Sequence, residues 1–415
     1  MKIAIIGSGI AGLTCAYVLN RRHDIRVYEA GSWIGGHTHT VNVSLNGETQ
    51  AVDTGFIVFN DWTYPNFIRL LKQLGVRYKA TEMSFSVCDP ASGLEYNGNN
   101  LNSLFAQRRN LLSPGFWGML RDILRFNRAS QQDLLQQRIA ADTTLGQYLQ
   151  SQGYGERFIR HYIVPMGAAI WSMSPGQMLG FPLQFFVRFF KNHGLLSVSN
   201  RPQWCVIEGG SSRYIEPLTA SFRQHIHLDC PVRRVERDEQ GVLIHSDAGS
   251  ERFDKVVFAC HSDQALQLLS SPSLAEQEIL QALPYADNDV VLHTDTRLLP
   301  RRRLAWASWN YRLDASAEKA AAVTYDMNIL QGLQSSSTYC VSLNQSAAID
   351  PSKILARYTY AHPQYSLGAL AAQARWGELQ GAHHSFYCGA YWANGFHEDG
   401  VVSALRVAQA FGEQL

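Results

Sequence analysis

Met1-Lys2-Ile3-Ala4-Ile5-Ile6-Gly7-Ser8-Gly9-Ile10-Ala11-Gly12 opens the chain, and its reading decides the fold. Lys2 to Ile6 is a short apolar run of buried-strand type. The glycines after it have the spacing G-x-G-x-x-G, and a helix-like stretch follows from Leu13 to Leu19. Gly7 permits a tight turn, Gly9 lets backbone amides approach a pyrophosphate, and Gly12 lets helix and strand pack closely. The helix N-terminus then faces the phosphates, with Ile10 and Ala11 beside the glycines in the binding turn. The next strand, Ile25-Arg26-Val27-Tyr28-Glu29, ends in a carboxylate seventeen positions after Gly12, where an acid accepts hydrogen bonds from ribose hydroxyls. Together these features predict an α/β fold that binds a dinucleotide.

At 415 residues, 46% hydrophobic and 17% charged, the chain is long enough for roughly two or three interleaved domains with a large core. A formal net charge of +1 argues against bulk electrostatic capture of nucleic acid. The seven cysteines are scattered and include no C-x-x-C pair, which predicts reduced thiols, no disulfide framework and no metal site. No uninterrupted apolar run approaches the ~18 to 20 residues that span a bilayer. Gly7 also breaks the N-terminal apolar run too early for a signal peptide. The expectation is a cytoplasmic protein, free or peripheral on the inner membrane face.

Beyond Glu29 the sequence continues Ala30-Gly31-Ser32-Trp33-Ile34-Gly35-Gly36-His37-Thr38-His39-Thr40, and later Val52-Asp53-Thr54-Gly55-Phe56. A second glycine pair this soon after the acidic strand resembles the flavin site of the superfamily of amine oxidases, protoporphyrinogen oxidases and phytoene desaturases. The resemblance implies FAD rather than NAD, bound without a covalent link, with Gly35, Gly36, His37 and Thr38 added to the cofactor-binding set. His37 stands where the superfamily usually has arginine. At the other end, Ser385-Phe386-Tyr387-Cys388-Gly389-Ala390 looks like a strand entering a turn at Gly389. His397-Glu398-Asp399-Gly400 then opens a helix from Val401 to Phe411. Amides and the positive dipole end of that helix, at Gly400 and Val401, suit negative charge on a reduced flavin; capping by Asp399 is compatible with this.

Between these ends, Val206-Ile207-Glu208-Gly209-Gly210 precedes a helix and three strand-like runs follow: Val232 to Arg237, Gly241 to Ser246, and Lys255 to Cys260. Val232 is counted with the cofactor-binding residues. The order resembles the superfamily's return to its FAD domain through a small sheet. The expected architecture is a Rossmann-like FAD-binding domain built from 1–80, 200–268 and 380–415. It is interleaved with a mixed helical and β-sheet substrate domain from 81–199 and 269–379, as in amine oxidases. No second G-x-G-x-x-G marks a nicotinamide domain, so electrons leave to oxygen, a quinone or a protein carrier unless NAD(P)H docks directly on the flavin.

The inserted segments have a lipid-facing character. Arg108, Arg109, Arg121, Arg125 and Arg128 interleave with Phe105, Leu111, Leu112, Phe116, Trp117 and Leu124. Phe181, Phe185, Phe186, Phe189 and Phe190 surround Arg188 and Lys191, and Arg301-Arg302-Arg303 precedes Trp306 and Trp309. Each segment reads either as domain core or as a face for an anionic membrane; three of them in a near-neutral chain favour the membrane.

Tyr64-Pro65-Asn66, Met83-Ser84-Phe85-Ser86, Ile170-Trp171-Ser172, Arg201-Pro202-Gln203-Trp204, Asn328-Ile329-Leu330-Gln331 and Gly395-Phe396-His397-Glu398-Asp399-Gly400 resemble one branch of that superfamily. This branch comprises bacterial FAD-dependent oxidoreductases and the flavin-oxidase-like N-terminal region of plant cyclopropane fatty acid synthases. It implies an unsaturated or methylated fatty acyl substrate, phospholipid-bound in one version. Asp326 stands where the resemblance leads one to expect an aromatic residue. No lysine falls in Val323 to Leu330, so the flavin-adjacent lysine common in amine oxidases is not placed there. His161, Tyr325 and His397 are the catalytic candidates, with Tyr162 and Glu398 as further polar groups. Three functions stay open: a lipid-acyl oxidoreductase, a small-amine oxidase, and a flavin-bound accessory protein of lipid modification.

Overall fold

Lys2–Ile6 is the middle strand of a five-stranded parallel sheet with the order Ile226–His227, Asp24–Tyr28, Lys2–Ile6, Lys255–Phe258, Ser385–Tyr387. The computed structural model describes residues 1–313 and 320–415. Successive strands add on one side of Lys2–Ile6 and then on the other, so the order reverses between Lys2–Ile6 and Lys255–Phe258. Ligands of open α/β sheets bind at the carboxyl ends of the strands at such a reversal. The helix Ile10–Leu19 is apolar on every side, and nine of its ten residues are buried. It is enclosed because the last helix, His397–Ala410, packs on it through Val401, Ala404, Val407 and Ala408.

The runs read as three strands after Val232 divide differently. Val232–Asp238, Gly241–Ser246 and Gly249–Phe253 form a small antiparallel sheet, while Lys255–Phe258 returns to the parallel sheet. The polar sequence Gly-Ser-Glu-Arg-Phe hides the third strand, since only Phe253 of it is buried.

A second, seven-stranded sheet has the order Ile354–Pro363, Tyr285–His293, Cys340–Leu343, Val323–Asp326, Trp309–Arg312, Phe85–Asp89, Leu94–Asn97. All its pairings are antiparallel except that of Trp309–Arg312 with Phe85–Asp89. Strands from both inserted segments therefore share one sheet. Helices between residues 101 and 192 cover part of it. Here the lipid-facing reading of the second aromatic segment is corrected: Phe181, Phe186, Phe189 and Phe190 are buried around Trp171, whose ring lies 4.5 Å from Phe181 and 4.8 Å from Phe189. In Leu183–Asn192, Phe186, Phe189 and Phe190 fall on one helix face, which is the spacing of an ordinary core stripe. Among the described residues no helix is long and apolar enough to cross a membrane.

Candidate functional site

The glycine turn is built by backbone packing. Gly7 has φ +108°, its amide donates to the Tyr28 carbonyl at 2.8 Å, and an added Cβ would lie 2.9 Å from the Ala259 carbonyl oxygen. A side chain at Gly12 would run into the Gly7 carbonyl. Gly9 differs: a Cβ there meets nothing within 4 Å, so this position faces open space. The helix that starts at Ile10 has no side-chain cap and no acid in its first turn. Its first amides, at Ile10, Ala11 and Gly12, have no intrahelical acceptor and are left for a ligand. The second glycine pair closes against this turn: the Gly35 amide donates to the Ser8 carbonyl at 3.0 Å, and a Cβ on Gly36 would lie 3.1 Å from the Gly9 Cα.

Glu29 is fixed at the end of its strand. Its Oε2 accepts from the Ser8 amide at 2.9 Å and the Ser8 hydroxyl at 2.7 Å, and its Oε1 from the Gly31 amide at 2.8 Å. A carboxylate offers about four acceptor sites, so one remains for a ribose hydroxyl. Val232 is buried with Tyr28 in one cluster, and the neighbouring Cys230 amide donates to the Glu29 carbonyl at 2.9 Å. The valine thus stands beside the acid, on the side where the nucleoside end of a ligand would lie.

Beyond the glycines stands a group of rings from distant segments. His37 lies 5.2 Å from Tyr360, 5.5 Å from His362 and 6.4 Å from His261, centroid to centroid. His261 stacks on Tyr285 at 4.0 Å, and Tyr285 meets Tyr391 at 6.1 Å. Burial holds the His37 pKa down to about 3, with His362 and His261 adding to the effect, and burial with His261 lowers His362 to about 4. His261 is lowered as well, and His397 lies well below the ordinary value through burial and then His37. All four imidazoles are therefore neutral at physiological pH. Among the described residues no carboxylate acts on His37, His362 or His397, and Asp263, Asp287 and Glu29 are felt at His261. Where the superfamily's arginine would bring a charge, this chain supplies a neutral ring.

His397 occupies the first position of the last helix. Its Nε2 lies 2.9 Å from the Thr38 hydroxyl and 3.2 Å from the Tyr214 hydroxyl, and its ring stacks on Phe56 at 3.4 Å. It joins the second glycine segment to the last helix. Gly400 and Val401 pack that helix onto the first one: a Cβ on Gly400 would meet the Ile10 Cγ2 at 2.8 Å, and Val401 is buried in the same core. The two helix N-termini therefore stand together. Of the acids of the last helix, Glu398 is turned to another helix and Asp399 caps its own. Glu398 accepts from the Asn66 amide at 3.1 Å, the Asn66 side chain at 2.7 Å and the Phe67 amide at 2.9 Å, so it caps the helix Pro65–Gln73, whose N-cap Tyr64 supplies no cap. Asp399 accepts from the Phe396 amide at 2.9 Å, and burial raises its carboxyl to about 6. Gly389 ends its strand with its amide on the Ser403 hydroxyl at 3.0 Å.

Tyr325 lies on the face of the large sheet that also carries Tyr360, with Trp309 edge-on at 4.8 Å; burial raises its hydroxyl pKa. Asp326, beside it, is the N-cap of the helix Met327–Leu330 and accepts from the Asn328 amide at 3.0 Å and the Ile329 amide at 3.2 Å. Its acceptor role explains a polar residue there. His161 stands apart from this group: its Nε2 lies 2.9 Å from the Asp89 carboxylate, and with Arg157, Arg160 and Ser92 it borders a separate surface pocket. It contacts none of the rings around His37. The sequence reading passed over His261, Tyr285, Tyr360 and His362. A signal existed for two of them, since Tyr358, Tyr360 and His362 alternate along Ile354–Pro363 and so share one face.

FAD fits these residues. Open space before Gly9 meets free helix amides, Glu29 retains an acceptor, and the buried His37 Nε2 and Tyr391 hydroxyl have no partner among the described residues. Cys388 is fully buried, and its thiol is raised well above the ordinary range by its neighbour Cys15 and by burial, which leaves it unsuited to covalent attachment.

Comparison with known proteins agrees. The model of the family described as flavin containing amine oxidoreductase matches residues 10–319. A Mycobacterium tuberculosis protein provisionally named flavin-containing monoamine oxidase AofH is 24% identical over 275 residues, covering 62% of this chain and 56% of that protein. The chain thus matches little more than half the length of this relative. The structure superposes on cyclohexylamine oxidase from Brevibacterium oxydans IH-35A with a TM-score of 0.65 at 17% identity, covering 99% of both chains. It superposes on the CLA-producing fatty acid isomerase from P. acnes with a TM-score of 0.69 at 15% identity, covering 99% of this chain and 98% of the other. With three-quarters of its length matched by the family model and a cradle that suits the cofactor, the chain belongs to the flavin-containing amine oxidoreductase family.

Proposed function

We propose that the protein is an FAD-dependent oxidoreductase that oxidises an unsaturated or methylated fatty acyl chain, in the manner implied by its resemblance to the flavin domain of plant cyclopropane fatty acid synthases. The observation that carries this reading is the neutrality of the surroundings of His37. An ammonium group entering beside His37 would lose its hydration and meet no carboxylate there among the described residues, whereas a hydrocarbon chain loses nothing. Bound FAD supplies the capacity to accept a hydride. The chain's own residues then have separate tasks. Amides at Ile10, Ala11 and Gly12 hold the pyrophosphate and Glu29 holds the ribose. The first turn of His397–Ala410 favours negative charge before it. Tyr325, Tyr360 and Trp309 present a dry aromatic face to the substrate, and His37 Nε2, neutral and without a partner among the described residues, is left to hydrogen-bond the cofactor or substrate.

A second reading, oxidation of a small amine, is favoured by the resemblance to AofH and to cyclohexylamine oxidase. In that case Trp33, Tyr358 and Tyr360 near His39 would receive the cation on their faces. Anaerobic mixing of the FAD-loaded protein with phospholipids bearing unsaturated or methyl-branched chains, and separately with polyamines, decides between them. The acyl reading expects bleaching of the flavin's visible absorbance by lipid alone. Bleaching by amines alone would establish the second reading, and bleaching by neither would leave an accessory flavoprotein.

A further inference from the structure

One face of the helical layer takes no part in the flavin site. The tight turn Arg108–Leu112 leaves Leu112 89% exposed, and Trp117, one turn into the helix Pro114–Leu135, is 50% exposed. Leu111 is exposed beside them, its carbonyl accepting from the Trp117 indole at 2.9 Å. The outward stripe of that helix continues Trp117, Arg121, Leu124, Arg128, alternating apolar and basic with no acid. Asp122 is buried instead, accepting from the Gly155 amide at 3.0 Å.

The pocket that borders His161 lies next to this protrusion. It measures about 400 Å3 and is lined by Arg157 and Arg160, with Asp89 already committed to His161 and, among the described residues, Glu156 as the one other acid. Arg157 Nη1 donates to the Ser113 hydroxyl at 3.3 Å, which ties the pocket to the residue after Leu112. Arg109 donates to the Gly93 carbonyl at 2.9 Å, next to the pocket residue Ser92. In a chain of net charge +1, basic groups are thus gathered around exposed leucine and tryptophan.

We infer that this face docks on an anionic phospholipid membrane, with Leu111, Leu112 and Trp117 entering the acyl boundary and Arg157 and Arg160 receiving lipid phosphate. Charge selects this occupant. A second copy of the chain would bring arginines against arginines, whereas an anionic leaflet complements both the basic ring and the apolar tip. The inference does not depend on the substrate of the flavin site, and it removes Phe181–Phe190 from any membrane role.

The test is sedimentation of the FAD-loaded protein with vesicles of phosphatidylcholine alone and of phosphatidylcholine with phosphatidylglycerol. Wild type is expected to sediment with the anionic vesicles only, less so at high salt. Arg157→Gln and Arg160→Gln should each weaken partition by about five-fold. Leu112→Ala with Trp117→Ala should weaken it by at least about ten-fold. Flavin absorbance should stay unchanged in all of them, and each should remain folded by circular dichroism. Wild type remaining in the supernatant at low salt, or variants sedimenting like wild type, would overturn the inference. So would a wild-type dimer in lipid-free solution that the Leu112 and Trp117 substitutions dissolve, since the face would then belong to a second copy.

Discussion

The loop Gly7–Gly12 and the group of rings about His37 bound one site by different means. The loop acts through backbone: its amides are free because the helix is uncapped, and its glycines are required where neighbouring backbone comes close. The rings act through side chains from five segments separated by up to several hundred residues, and their neutrality arises from mutual burial. A local chain motif can set a phosphate cradle, whereas only the assembled fold can set the electrostatics of the surface facing it. The two regions should therefore fail differently when altered.

The largest effect is expected within the loop. Gly12→Val drives a side chain into the Gly7 carbonyl and should cost about 3 kcal/mol or more, read as loss of soluble protein or a collapsed unfolding midpoint in urea. His397→Ala comes next. It removes a buried ring stacked on Phe56 and leaves the Thr38 and Tyr214 hydroxyls without it, for a loss of roughly 2–4 kcal/mol together with weaker FAD binding. His161→Ala is the contrast, because it should leave FAD affinity unchanged by flavin fluorescence titration.

The histidine group sharpens the comparison through pH. His37 titrates at 6.5 when unfolded and at about 3 when folded, so its contribution to stability is complete above pH 6.5 and declines as pH falls towards 3. Each pH unit in that window removes about 1.4 kcal/mol. Glutamine has no such dependence, so the stability difference between wild type and His37→Gln should shift in favour of the variant by about 2 kcal/mol between pH 7 and pH 5, as urea unfolding would show. The smallest effect is expected at Glu398→Gln, where one of two capping oxygens becomes a donor facing amides. About 1 kcal/mol of stability should be lost with FAD binding retained.

The same contrast explains what could be read in advance. The first two strands of the parallel sheet, the first helix, the turn and Glu29 follow from residues within thirty positions of one another. Gly35 and Gly36 were legible too, since their packing partner is that turn. His261 was not, because nothing near it in the chain says that it meets His37, and the alternation that joins His362 to Tyr360 does not say which ring they face. The place of His161 was hidden for the same reason: its partner, Asp89, lies on a distant strand. The phenylalanines of Leu183–Asn192 have a spacing that suits a core as well as a membrane, and only the position of Trp171 decides it. Glu398 likewise looked available until the uncapped helix at Pro65 claimed both its oxygens.

The central claim is that the space before Gly9 holds the dinucleotide, and titration of the apoprotein with FAD, wild type against Gly9→Val, tests it most directly. Gly9 has φ −69°, which any residue adopts, and no atom within 4 Å of an added Cβ, so the variant should fold with a loss of about 1 kcal/mol at most. Its FAD affinity should fall by at least about 100-fold, or roughly 2.7 kcal/mol, because the valine takes the place of the pyrophosphate. A folded Gly9→Val protein that binds FAD as tightly as wild type would contradict the account.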